Sequence, residues 1–169
     1  MISVSVSLSR LAALMTFVLV LFASPIARTA ETSLPPAHDL LADARRVELT
    51  GMPLIVMVSL RGCPHCEVVR RSHLLPLLRD GLTRLPPQIR QIEINGQAAM
   101  RDFNGLSITH ADFANRYKIK VAPVVMLFDA NGEMLAEPLV GAMIPDFYGA
   151  YFDAALAEAN AKLQRQGGR

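Results

Sequence analysis

One stretch constrains this chain more than any other. Gly62-Cys63-Pro64-His65-Cys66 stands directly behind the apolar run Leu54-Ile55-Val56-Met57-Val58-Ser59-Leu60. The run follows the breaker Gly51-Met52-Pro53 and is partly β-branched, so it reads as a buried strand rather than a helical turn. Behind the motif, Glu67 to Leu78 is dense in helix formers. The two cysteines therefore sit where a strand hands over to a helix. With Cys63 as N-cap, Pro64 takes the first helical position, where a missing N–H costs nothing. The Cys63 sulfur then faces the free N–H groups of His65 and Cys66, and the helix dipole favours its anionic form. The thiolate is the reactive species in disulfide exchange, and such settings lower a cysteine pKa from about 8.5 to roughly 3.5–7.5. This is the pattern of a redox dithiol, with Cys63 and Cys66 catalytic and Pro64 and His65 in support.

Other roles for the pair fit less well. A disulfide across so short a loop constrains the unfolded chain very little, which argues against a purely structural bond. The chain has 2 cysteines in all, and no second Cys pair or His-x₃₋₅-His would complete a zinc site. Covalent haem attachment needs His directly after the second cysteine, and that residue is Glu67. No metal and no cofactor beyond the Cys63–Cys66 disulfide itself is expected.

The 169 residues suit one domain behind an N-terminal segment. In residues 1–30, Arg10 precedes the uncharged apolar stretch 11–23, which is followed by small residues through Ala30. At about 13 residues the stretch falls short of the roughly 20 that cross a bilayer. Residues 1–30 read as a cleaved export signal, with an uncleaved N-terminal membrane tether as the alternative. A cut after Ala30 puts Arg28 at the −3 position and one after Ala27 puts Pro25 there, so neither is ideal. Either way the domain lies outside the bacterial cytoplasm, where stable disulfides are normal. The segment holds Arg10 and Arg28 and no acid, so 17 basic residues become 15 against 15 acidic ones once it is removed. A neutral domain argues against nucleic acid as a partner.

The rest of the chain alternates helices and strands. Residues 31–37, with Pro35-Pro36, read as a linker to a domain spanning 38–166. Leu40, Leu41, Ala44 and Val47 recur at helical spacing behind Asp39 as N-cap, and Gly51 ends that helix. The active-site helix is expected to break near Leu75, because Pro76 disfavours helical geometry in the residue before it. A second piece then runs from Pro76 to Leu85 and stops at Pro86-Pro87. Arg90 to Asn95 forms a second strand. Gly96 to His110 is a long excursion turning at Asn104-Gly105, either a packed surface loop or a partner-contact surface. A short helix follows from Thr109 or Asp112 to Tyr117. Val121 to Phe128 is a third strand, Asp129-Ala130-Asn131-Gly132 a turn and Met134 to Val140 a fourth strand ended by Gly141. A last helix from Pro145 to about Gln164 carries Phe147, Tyr151, Phe152, Ala155, Leu156 and Ala159 on one face, and Gly167-Gly168-Arg169 frays. A helical crossover makes the first two strands parallel, and a tight turn makes the last two antiparallel. The expected architecture is α/β, a mixed four-stranded sheet with helices on both faces.

Cys63-Pro64-His65-Cys66, together with Tyr117 to Glu133 around Val121-Ala122-Pro123-Val124, resembles the thioredoxin-fold family over essentially all of residues 38–163. The resemblance implies that Pro123 is cis and lies against the dithiol, and that the Ala122 backbone pairs with an extended substrate segment. Cis bonds are cheap only before proline, at about 0.5–1 kcal/mol, and a plain proline opening a strand is otherwise poor sheet chemistry. Two departures stand out. Arg61-Gly62 replaces the tryptophan usual before the first cysteine, and Met57 stands where many members bury a carboxylate that takes the proton of the second. Pro-His between the cysteines matches the periplasmic oxidase DsbA, but a chain of this length has no room for that enzyme's helical insert. The Gly-Cys-Pro-His-Cys-Glu context, the excursion and the Phe147-Tyr148-Gly149-Ala150-Tyr151 ending are closer to small exported thioredoxins of the SoxW type.

The resemblance implies a periplasmic thiol–disulfide oxidoreductase. Cys63 attacks, Cys66 resolves, and a protonated His65 stabilises the thiolate. Its partners would be disulfide- or thiol-bearing proteins and a membrane electron donor, met as a monomer. Three roles stay open: a reductant, a DsbA-like oxidase or isomerase, and a metal-binding or chaperone protein of the same fold. Arg61, Arg70 and Arg71 read as solvated charges, His73 and His110 as ordinary residues, and Met126, Met134 and Met143 as core and groove fillers.

Overall fold

The computed structural model describes residues 33–79, 87–142 and 145–167. The expected export signal at 1–30, the expected helix stop at Pro86, Met143 and the expected fraying at Gly168-Arg169 fall outside the described residues. Among the described residues, no helix is long and apolar enough to cross a membrane.

Residues 31–169 form one compact unit. The sheet is built on β1 (Leu54–Ser59), whose six residues are all buried. It runs parallel to β2 (Ile89–Glu93) and antiparallel to β5 (Val124–Phe128), which in turn pairs antiparallel with β6 (Leu139–Val140). The order β2-β1-β5-β6 is the expected mixed four-stranded sheet. Alternation along β1 divides the core, as a period of two residues dictates. Leu54, Val56 and Val58 face α1 (Leu40–Thr50) and the short α4 (His110–Arg116), while Ile55 and Met57 face the dithiol helix and the last helix.

Local chemistry sets most boundaries. The Asp39 carboxylate accepts from the Ala42 N–H at 2.9 Å and caps α1, and Gly51 closes it in the left-handed region at φ 67°. Thr109 and Asp112 form a capping box at α4. The excursion is a two-stranded sheet of β3 (Ala99–Arg101) and β4 (Ser107–Thr109). Buried Asp102 organises its turn by accepting from Asn104 and Leu106 N–H and from Arg116 at 2.5 Å. Burial pulls the Asp102 carboxyl upward, but these donors outweigh it and hold the group below the usual carboxylate range.

Five expectations are corrected. Residues 33–37 are no free linker, because Ala37 N–H donates to Gln91 O at 2.9 Å and Gln91 N–H to Pro35 O at 2.8 Å, which lays the segment along β2. The helix does not break at Leu75. The helix α2 (Pro64–Val69) passes through a widened turn, Arg70–Leu74, into α3 (Leu75–Arg79). The Leu75 N–H reaches Arg70 O, and this wider turn absorbs the proline ring that would otherwise strike the preceding turn. Strands β2 and β5 are shorter than expected, and β5 starts after Pro123 rather than at Val121. The fourth strand is interrupted: Met134 bridges Phe128 and Leu135 N–H reaches Leu127 O, but Leu135 and Ala136 turn into a core under the last helix. Pro138 has no N–H to keep the ladder going. The last helix, α5 (Pro145–Gly167), extends past Gln164 and is phased differently. Tyr148, Phe152, Ala155 and Ala159 are buried, whereas Phe147 and Tyr151 are 59% and 61% exposed. Met126 is buried in the core, and the half-exposed Met134 lines a groove with Val121 and Val140, so the two divide the core and groove roles between them.

Candidate active site

Gly62 sits at φ 74° and turns the chain from the end of β1 into α2. Cys63 is extended at φ −82°, ψ 112° and caps α2, with Pro64 in the first turn as expected. Its sulfur accepts from the Cys66 N–H at 3.1 Å; that bond, rather than one from His65, satisfies the helix terminus. Cys63 and Cys66 are joined in a disulfide with Cα atoms 5.3 Å apart. The two sulfurs have unequal surroundings. Cys63 is partly exposed, whereas Cys66 is 1% exposed and packs with Ile55, Met57 and Val69.

The chain brings the second expected group to the same place. The Ala122–Pro123 peptide is cis, and the Ala122 carbonyl oxygen lies 3.9 Å from Cys63 Sγ. Gly141 N–H donates to Pro123 O at 2.7 Å, which ties the end of β6 to this loop. Leu60, Val121 and Val140 stand exposed on the segments that converge here. A shallow cleft of about 300 Å³ opens beside Gly141 and Ala142, lined also by Pro138, Tyr148 and Tyr151. Apolar side chains left in water around a reactive group suit contact with another protein. His65 and Arg61 are exposed at the rim.

Beneath the helix lies a polar cluster that sequence reasoning missed. Arg70 was expected in solvent, yet it is only 9% exposed. Its guanidinium bonds Gln91 Oε1 at 3.0 Å, Ser59 Oγ at 3.3 Å and the Glu67 carboxylate. The Arg70 hydrogen bond chiefly, against a desolvation cost, holds the Glu67 carboxyl below its usual range. Gln91 Nε2 continues the chain to Glu93 Oε1 at 2.7 Å. The spacing Cys66–Arg70, four apart on a helix, was the available signal that Arg70 follows Cys66 inward. Met57 is fully buried between Gln91 and Val125 in the sheet register, so no carboxylate occupies that position.

Two histidines away from the motif, His110 and His73, have structural roles. His110 is buried; its Nδ1 accepts from Glu93 N–H, which leaves Nε2 to donate to Ala37 O at 3.0 Å. His73 packs on Tyr148 with ring centroids 5.0 Å apart. Burial pushes the Tyr148 phenol far above its usual pKa. Among the described residues, no group of three or more His, Cys, Asp or Glu side chains is placed to hold a metal ion.

Known proteins place this geometry in context. The family model described as a thioredoxin-like domain matches residues 40–156. No curated protein sequence matches the chain. Among solved structures, mitochondrial thioredoxin 3 from Saccharomyces cerevisiae in its oxidized form is 13% identical, covering 77% of this chain and 99% of its own, with a TM-score of 0.50. A DsbH oxidoreductase is 13% identical, covering 82% and 97% of the two chains, with a TM-score of 0.48. Identities this low speak to the fold alone. With the family match across more than half its length and a Cys-x-x-Cys disulfide at the head of α2, the chain belongs to the thioredoxin-like domain family and is a thiol–disulfide oxidoreductase.

Proposed function

We propose that the protein is an exported, periplasmic reductant of protein disulfides. The unequal exposure of the two sulfurs carries the assignment of roles, with Cys63 within reach of a partner and Cys66 at 1% exposure. In the reduced protein the Cys63 thiolate attacks one sulfur of a partner disulfide. A Cys63–partner bond forms and the other partner sulfur leaves as a thiolate. Cys66 then attacks Cys63 Sγ, the Cys63–Cys66 bond forms, and the second partner sulfur departs. The partner gains two electrons and the dithiol loses two; a membrane electron donor returns them. The Ala122 backbone beside Cys63 suits pairing with an extended partner segment. Export rests on residues 1–30, whose apolar stretch ends in small residues.

An oxidase reading keeps one specific support, the Pro64-His65 dipeptide. A protonated His65 beside the sulfur stabilises the thiolate, and hence the dithiol, which makes the disulfide a stronger oxidant. One paired assay separates the two directions. The dithiothreitol-fed protein is expected to reduce insulin faster than its oxidised form introduces disulfides into a reduced, unfolded substrate. The His65→Gly variant is expected to tilt that ratio further toward reduction. Faster oxidation than reduction would put the oxidase first, and an unchanged ratio in the variant would remove His65 from the account.

A further inference from the structure

We propose that Arg70 is a positioning residue for the exchange reaction, a buried cation that holds Cys66 in its thiolate form for the resolving step. This rests on the function proposed above. Cys66 and Arg70 are four residues apart on one helix face, about 6 Å along the axis. Both are buried, and Cys66 belongs to a core cluster with Ile55, Met57, Val69, Val125 and Tyr148. A charge in such surroundings acts far more strongly than one in water. Arg70 is also fixed there: Ser59, which holds its guanidinium, ends β1 just before the loop that carries the dithiol.

The charged groups facing this cation are few. On its own helix Glu67 pairs with it, and Arg71 bonds Glu67 at 3.1 Å from the solvent side. From β2, Gln91 accepts its hydrogen bond and passes the contact to Glu93. The Glu67 side chain is 48% exposed against 11% for Arg70, so water screens the anion more than the cation. Removing Arg70 withdraws the buried positive charge and leaves Glu67 only its solvent-side partner Arg71. Both changes disfavour a thiolate at Cys66, so the sign of the effect is fixed.

The resolving step can be read in isolation. When reduced protein meets oxidised glutathione, Cys63 first forms a mixed disulfide and releases one glutathione thiolate. Cys66, having lost its proton to water, then attacks Cys63 Sγ. The Cys63–glutathione bond breaks, the Cys63–Cys66 bond forms, and the second glutathione leaves as a thiolate that takes up a proton. The two cysteines are oxidised by two electrons and one glutathione disulfide is reduced to two thiols. The second step is independent of glutathione concentration, so its rate against pH reports the ionisation of Cys66.

The experiment follows that step in the full chain by stopped flow, for the native protein and for Arg70→Met, Arg70→Lys and Glu67→Gln. Arg70→Met is expected to move the midpoint of the pH profile up by about one unit, slowing the step about tenfold at pH 7. Arg70→Lys keeps the charge and should restore most of the rate. Glu67→Gln leaves the Ser59 and Gln91 bonds in place and should move the midpoint down. A role confined to anchoring the helix moves thermal stability and leaves both midpoints alone, and that result overturns the proposal. So does a shift of both variants in the same direction. If Arg70→Met does not fold, Glu67→Gln decides alone, and an unchanged or raised midpoint overturns the proposal. Absence of the first, glutathione-dependent step in the native protein would instead overturn the function beneath it.

Discussion

Replacing Cys63 with serine is expected to lower the rate of insulin reduction by about a thousandfold or more, because a serine hydroxyl neither ionises near neutrality nor forms a mixed disulfide. Cys66→Ser should lose turnover to a similar degree but behave differently in kind. With no resolving thiol, the Cys63–partner bond persists, and the variant isolated under acid quench should carry covalently bound proteins. The asymmetry follows from Cys63 being partly exposed at the N-cap while Cys66 is packed among Ile55, Met57 and Val69. Non-reducing electrophoresis with mass determination of each variant is the check. Partners captured by Cys63→Ser and none by Cys66→Ser would reverse the roles.

The largest stability effect is expected at Phe128→Ala, well away from the dithiol. Phe128 is fully buried at the end of β5, with the rings of Phe103 at 4.8 Å, Tyr117 at 5.6 Å and Phe113 at 6.5 Å. Phe103 comes from the excursion and Phe113 and Tyr117 from α4 and its C-terminal end, so the ring of Phe128 joins both to the sheet. Truncation to alanine loses the transfer free energy of the ring and leaves a cavity that neighbours on separate elements cannot easily close, at a cost of about 3–5 kcal/mol. Against a total stability of roughly 5–15 kcal/mol this is a large share. Urea unfolding of the oxidised protein measures it. A loss below about 1 kcal/mol would mean that the cluster collapses onto the space and is less rigid than its packing indicates.

What could be read from the chain was mostly what is decided within a few residues. Asp39 and Cys63 as caps, Thr109 as one of two starts offered for the short helix, and the glycines at 51 and 105 as turns act through their own backbone neighbours, and the structure agrees. The strand-to-helix position of the cysteines has the same local origin. The failures come where distant parts decide. Arg70 looks like a surface charge in a run with Arg71, and only the placement of Ser59 and Gln91 on the adjoining strands makes it an interior one. Phe147 and Tyr151 look like core residues by type, but α5 presents Tyr148 and Phe152 to the sheet instead. Residues 33–37 have the composition of a linker, and their hydrogen bonds to Gln91 are invisible without β2. The widened turn at Arg70–Leu74 is a third kind of case, in which a helix packed along its length keeps a proline that would end an isolated one.

The most direct measurement is a glutathione redox titration of the full chain, with the thiols at Cys63 and Cys66 trapped by an alkylating agent at each ratio and counted by mass. If these two cysteines form one reversible redox centre, both thiols appear together in a single transition with a two-electron slope, near 30 mV per tenfold change in the ratio of dithiol to disulfide. A Cys63–Cys66 bond that stays closed at every ratio, or two thiols that appear independently, would contradict that centre and with it the catalytic reading of the site.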